Sequence, residues 1–171
     1  MGKLNVKGLC KQIKDSRNNL IWSFDGKEHL ITNRHWIIKL EHIVTDVLIS
    51  LLTVFDGQSP DAGTSLKKHV FFSEIEKGVL ISSPPLNEGR KSLSWTNFYR
   101  DYTGPRELLR VFSLDNSSVY INTNYLHVCG SSQLKVEGTN ALRVIFFPEI
   151  NYMVLPVRIT NEIDILALVD A

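Results

Sequence analysis

Cysteine is scarce in this 171-residue chain: there are two, Cys10 and Cys129. They are too few and too far apart to build the disulfide framework of a small secreted domain. Two reduced thiols in a cytoplasmic protein are the expectation. No apolar signal core follows Met1, and Val6 stands where a myristoylation pattern wants Ser or Thr. Long hydrophobic runs are missing too. The longest apolar stretch, Ile43–Phe55, is interrupted by Thr45, Asp46, Ser50 and Thr53, which makes it too short and too polar to span a bilayer. Charge of one sign is also lacking. Lys+Arg number 19 and Asp+Glu 18, for a formal net charge of +1. Such a chain has no global field for a polyanion, so nucleic acid would need a local patch. Finally, no Gly-x-Gly-x-x-Gly, Walker loop, Gly-x-Ser-x-Gly or Cys-x-x-Cys occurs. No catalytic signature is therefore present, and no cofactor is expected.

A hydrophobic fraction of 43% with 22% charged residues fits one ordinary folded domain over residues 1–171. Leu4, Val6, Leu9 and Ile13 suggest a strand and then a short helix. Leu20 to Leu40 reads as a three-strand meander, turned at Asp25-Gly26 and again at Asn33-Arg34. Trp36, Ile38 and Leu40 share one face of its third strand. Glu41–Phe55 reads as a helix with one narrow polar stripe, Asp46, Ser50 and Thr53, and so as a rod buried on most sides. Gly57 is placed to cap it. Strands are expected at Val70–Phe72, Val79–Ile81, Val119–Ile121, Leu134–Val136, Arg143–Phe147 and Tyr152–Ile159. Pro105 opens an expected short helix to Phe112. The apolar tail 160–171 should dock on the body or on a partner. The fold class is β-rich α+β, an antiparallel sheet packed around one helix.

Three groups of residues could carry chemistry. His29, His35 and His42 do not have the four-residue spacing of zinc ligands on a helix, and structural histidines are the simpler reading. His127 and Cys129 share a face if they lie on a strand, but nothing in the sequence lowers the thiol pKa. Arg100, Arg106 and Arg110, close to Trp95, Tyr99 and Tyr102, could hold phosphates and stack bases. Asp101, Glu107 and Asp115 dilute that patch.

Two segments stand out together: Thr32-Asn33-Arg34-His35-Trp36-Ile37, and Asn151-Tyr152-Met153-Val154-Leu155-Pro156-Val157-Arg158-Ile159. Between them come Ile121-Asn122-Thr123-Asn124-Tyr125-Leu126 and Val136-Glu137-Gly138. This pattern resembles the bacterial DNA sliding clamp, the β processivity factor, and its shortened phage relatives. The resemblance implies an apolar pocket that captures short peptides of replication proteins. Thr32, His35, Trp36 and Ile37 would form one wall, and Val154, Leu155, Pro156, Val157 and Arg158 the other. Clamp helices line a DNA hole with Lys and Arg, and Glu41–Phe55 has neither, so peptide capture is implied more directly than encirclement. The expected function is a non-enzymatic clamp-like binding protein of viral or mobile-element type, with a protein partner and no membrane. The alternative is a small phage-type inhibitor or assembly protein that binds a host or phage partner through exposed loops or the apolar tail; a homo-oligomer is a further expectation.

Overall fold

The first helix, α1 (Val6–Asp15), follows from its cap and its pattern. Asn5 accepts the Gly8 backbone N–H through Oδ1 at 3.2 Å. Leu9, Gln12 and Ile13 face inward, while Lys7, Lys11 and Lys14 are exposed. The computed structural model describes residues 4–69, 74–101, 107–131, 133–159 and 167–168. No strand precedes α1 among them.

The meander forms as the alternation requires. Strands β1 (Ile21–Phe24), β2 (His29–Thr32) and β3 (Trp36–Leu40) pair antiparallel. The first turn differs in detail from a two-residue Asp-Gly hairpin. It is a four-residue loop, since Phe24 pairs with His29, and Asp25 Oδ1 accepts both the Lys27 and Glu28 N–H groups at 2.7 Å. The second turn uses a left-handed Arg34, φ 76°.

The helix α2 (Thr45–Val54) ends as expected, with Gly57 at φ 81° donating its N–H to the Leu52 carbonyl. Its burial is narrower than expected. Only Val47, Ser50, Leu51 and Val54 are buried, and Ile49 is 56% exposed. The supposed polar stripe is misleading because Ser50 and Thr53 bond their hydroxyls to the carbonyls of Asp46 and Ile49 on the same helix. Ser50, so satisfied, is 3% exposed and faces the core.

The remaining strands are β4 (Thr64–Lys68), β5 (Ile75–Val79), β6 (Lys91–Asp101), β7 (Leu108–Leu114), β8 (Ser117–Asn122), β9 (Val136–Gly138), β10 (Ile145–Phe147), β11 (Tyr152–Val154) and β12 (Ala167–Leu168). Among the described residues they form one antiparallel sheet in the order β5-β4-β1-β2-β3-β11-β10-β9-β6-β7-β8, with β12 on β6. The fold is the expected β-rich α+β. Several local expectations are corrected. The strand expected at Val79–Ile81 starts earlier, at Ile75, and ends at Val79, with Lys77-Gly78 inside it. Leu108–Leu114 is strand, so the expected helix does not reach Phe112. Of the tail, Ala167 and Leu168 pair with Tyr99 and Phe98 of β6; its other residues, like Val70–Phe72 and residues 102–106, lie outside the described set.

The two helices pack on the inner face of the meander, over Trp22, Ile31, Trp36, Ile38, Tyr152 and Val154, all in the core. The Tyr152 hydroxyl ties three elements together. It accepts from Gln12 Nε2 of α1 at 2.8 Å and donates to the Tyr125 carbonyl at 2.7 Å. Tyr125 belongs to a 3₁₀ helix, Thr123–Cys129, that packs beside α1.

Candidate functional site

The two segments singled out from opposite ends of the chain are neighbours. β11 pairs with β3, Val154 opposite Trp36, Met153 opposite Ile37 and Tyr152 opposite Ile38. The Leu155 N–H extends the ladder to the His35 carbonyl at 2.8 Å. Directly opposite residues project to the same face, and the face alternates along each strand. Trp36 and Val154 therefore point inward to the helices, whereas Ile37 and Met153 point outward. On that outer face Ile37, Met153 and Leu155 meet Pro84 and Val144 around a cleft of about 70 Å³, with Arg34 and His35 also lining it.

The site residues drawn from the resemblance divide accordingly. Ile37 and Leu155 lie on the outward face at this cleft, where Leu155 is 42% exposed; His35 also lines it, with its ring stacked on Tyr125. Trp36 and Val154 border it through their position in the strands, but both side chains are buried. Trp36 packs on Tyr152, and its indole N–H donates to Ser16 Oγ at 3.3 Å. Thr32 supports the turn: its hydroxyl donates to the Trp36 carbonyl and accepts the Arg34 N–H. Pro156, Val157 and Arg158 lie beyond the cleft, because the chain runs on to β8, where the Val157 N–H donates to the Tyr120 carbonyl. Met153, Pro84 and Val144 were not anticipated. Met153 was open to prediction from the alternation alone; the other two come from loops that only the tertiary fold brings near.

The arginine cluster also splits. Tyr99 pairs with Arg110, and Arg100 with Leu109, across β6 and β7, so the two arginines take opposite faces. Arg100 is buried, with its guanidinium 5.6 Å from the Tyr120 ring. Arg110 lies over both Tyr99 and Trp95, at 4.5 and 5.7 Å, and bonds the Tyr99 hydroxyl. Arg106 is outside the described residues. On the Arg110 side a second and much larger cleft, about 700 Å³, opens between β6–β7 and α1.

The histidines do not converge. His29 accepts the Trp22 indole N–H at 3.2 Å and stacks on Phe24, while His35 stacks on Tyr125. Among the described residues no three His, Cys, Asp or Glu side chains are grouped to hold a metal ion. Cys129 and His127 sit on the 3₁₀ helix and not on a strand. Burial pushes the Cys129 thiol up to about 12, so it is no nucleophile at neutral pH.

Burial also lowers His29 and His127 below the ordinary value of 6.5; the Lys11 ammonium adds to the effect at His127, while Asp25 and Asp15 oppose it at His29 and His127 respectively. The neutral His127 ring can then accept from Lys11 Nζ, 3.1 Å away. A histidine lowered in the folded state binds its proton first in the unfolded chain. Stability is therefore full above the unfolded value of 6.5 and falls as pH drops from there toward the folded values. Asp25, Glu76 and Glu137 are held low by hydrogen bonds, and their contribution is lost only at more acid pH. Thermal melts between about pH 7 and about pH 5 should show a falling melting temperature. The decline should be shallower in a His29→Gln, His127→Gln double variant. An unchanged slope in that variant would remove these two rings as the cause.

No protein-family model, no curated protein and no solved structure matches this chain.

Proposed function

We propose that this chain is a non-enzymatic binding module that captures a short extended peptide in the cleft on the outer face of the β3–β11 seam. The observation that carries this reading is the convergence of Ile37 and Met153, from opposite ends of the sequence, beneath an exposed Leu155. At about 70 Å³ the cleft is far below the roughly 300–1,000 Å³ of small-molecule sites. It suits the end of a single aliphatic side chain. Arg34 and His35 are exposed beside it, and no Asp or Glu is among its described lining residues. The fitting ligand is thus a peptide with one Leu- or Ile-like anchor next to an acidic residue. One buried anchor of that kind contributes about 2 kcal/mol, so a single motif binds weakly and its charge decides much of the selectivity. In the setting implied by the clamp resemblance, such peptides belong to proteins of viral or mobile-element DNA replication.

A randomised peptide library displayed on phage and selected on the purified protein tests this. Enriched sequences should share an aliphatic residue beside Asp or Glu. Their binding, read by fluorescence anisotropy, should be lost with Leu155→Glu, whose exposed position leaves the melting temperature nearly unchanged. Absence of enrichment, or peptides that bind the variant equally well, would end the reading.

A further inference from the structure

The peptide reading leaves the larger cleft unused, and its chemistry is different. One wall is α1 with Lys7 and Lys11; the other is β6–β7 with Trp95, Tyr99 and Arg110. Thr123, Ser131 and Gln133 add neutral polar groups, and Leu108 and Leu126 add apolar surface. No Asp or Glu is among the described lining residues. Lys7 has no ion-pair partner among the described residues, while Lys11 bonds Asp15 at 2.9 Å and lies against His127. Arg110 lies over its two aromatic neighbours, and its Nε is buried without a hydrogen-bond partner. The site therefore offers two ammonium groups on one side and a preassembled cation–aromatic cluster on the other.

We propose that this cleft binds a nucleotide unit, its phosphate against Lys7 and Lys11 and its base against the Arg110–Tyr99 stack. Both halves of the ligand are needed to use both walls. A bare anion would engage only the cations, and an uncharged ring would leave Lys7 without a counter-charge. About 700 Å³ is the size class of an enclosed organic ligand of this kind. The same chemistry can arrive as a free mononucleotide or as one residue of a single strand. Arg110 belonged to the basic cluster visible in the sequence; Lys7 and Lys11, a hundred residues away, join it only because α1 packs beside the 3₁₀ helix.

The test titrates the full chain at low salt with AMP, UMP, adenosine, inorganic phosphate and a short oligo(dT). Calorimetry reads the affinity, and tryptophan fluorescence reads the location, since Trp22 and Trp36 are buried away from this cleft. A mononucleotide should bind at least about tenfold more tightly than adenosine or phosphate alone. Affinity should fall about tenfold or more in Lys7→Glu, Lys11→Glu, a doubly exposed pair that preserves the fold. Tighter binding of oligo(dT) than of AMP or UMP, with a steep salt dependence, assigns the unit to a single strand; the reverse assigns it to a free nucleotide. Failure of every nucleotide probe to bind overturns the proposal. So does equal binding of phosphate alone, or binding that the lysine substitutions leave untouched.

Discussion

Replacing Gly8 with Ala should destabilise the protein by about 3 kcal/mol, although the same change in an open helix stabilises it by about 1 kcal/mol. The sign reverses because of what lies above the glycine. A Cβ built on Gly8 would stand 1.8 Å from the His127 carbonyl oxygen and 2.5 Å from its carbon. Both are backbone atoms, so no side-chain rotation relieves the overlap. The 3₁₀ helix Thr123–Cys129 must retreat, and it is held at the same point by two bonds from Asn5, the residue that also caps α1. The Asn5 N–H donates to the Val128 carbonyl at 3.0 Å, Asn5 Nδ2 donates to the His127 carbonyl at 3.0 Å, and Asn5 Oδ1 caps α1. Pushing the two elements apart strains both bonds from Asn5 to the 3₁₀ helix and disturbs the Tyr152 hydroxyl bridge between α1 and Tyr125. Urea unfolding of Gly8→Ala measures the loss. A variant as stable as the parent would show that α1 does not approach the 3₁₀ helix this closely. Gly138→Ala is a fair contrast, because the nearest atoms there are the movable Cδ1 ends of Ile145 and Leu93.

What the sequence made legible was local. The meander of β1 to β3 could be read because period-two alternation and turn residues agreed within twenty residues. The α1 helix, the Gly57 cap and the Pro148–Asn151 turn before β11 follow from equally local chemistry. The stretch from Lys91 to Leu114 was not legible in that way. β6 is largely polar, and its pairing with β7 carries a register shift between Trp95 and Tyr99, so its strand character comes from partners elsewhere in the chain. The β7–β8 hairpin did leave a signal, Asp115-Asn116 between apolar alternations, with Asp115 at φ 50°. Weighting Pro105 as a helix start obscured it. The α2 helix teaches a different lesson. Ser and Thr can bond back to their own helix, so a stripe of hydroxyls does not mark the solvent side. Here Ser50 faces the core while Asp46 and Thr53 are exposed, and the apolar Val44, Leu48 and Ile49 are exposed as well.

The candidate cleft was half legible for a similar reason. Pairing of the early and late strands could be anticipated, yet placing both Trp36 and Ile37 on one wall conflicted with the alternation along β3. Adjacent strand residues cannot share a face. The structure resolves the conflict in favour of Ile37 and sends Trp36 inward, where it is 1% exposed. This assigns the two residues different kinds of effect, and the assignment can be checked. Trp36→Ala should cost about 4 kcal/mol of stability, the range for emptying a large aromatic site in a core. It removes the packing on Tyr152 and leaves Ser16 Oγ without the indole donor. Ser16 keeps its bond from Asn33 Nδ2 at 3.1 Å, so the turn before β3 retains one of its two anchors and most of the loss is packing. Trp36→Phe, which retains a ring but not the N–H, should fall between the parent and the alanine variant. Were Trp36 instead a wall of the peptide cleft, Trp36→Ala would leave stability almost intact and abolish only binding. Chemical denaturation of these two variants beside Leu155→Glu separates the cases. A loss below about 1 kcal/mol in Trp36→Ala would return Trp36 to the surface and undo the inward reading of β3, along with the placement of Ile37 and Met153 that depends on it.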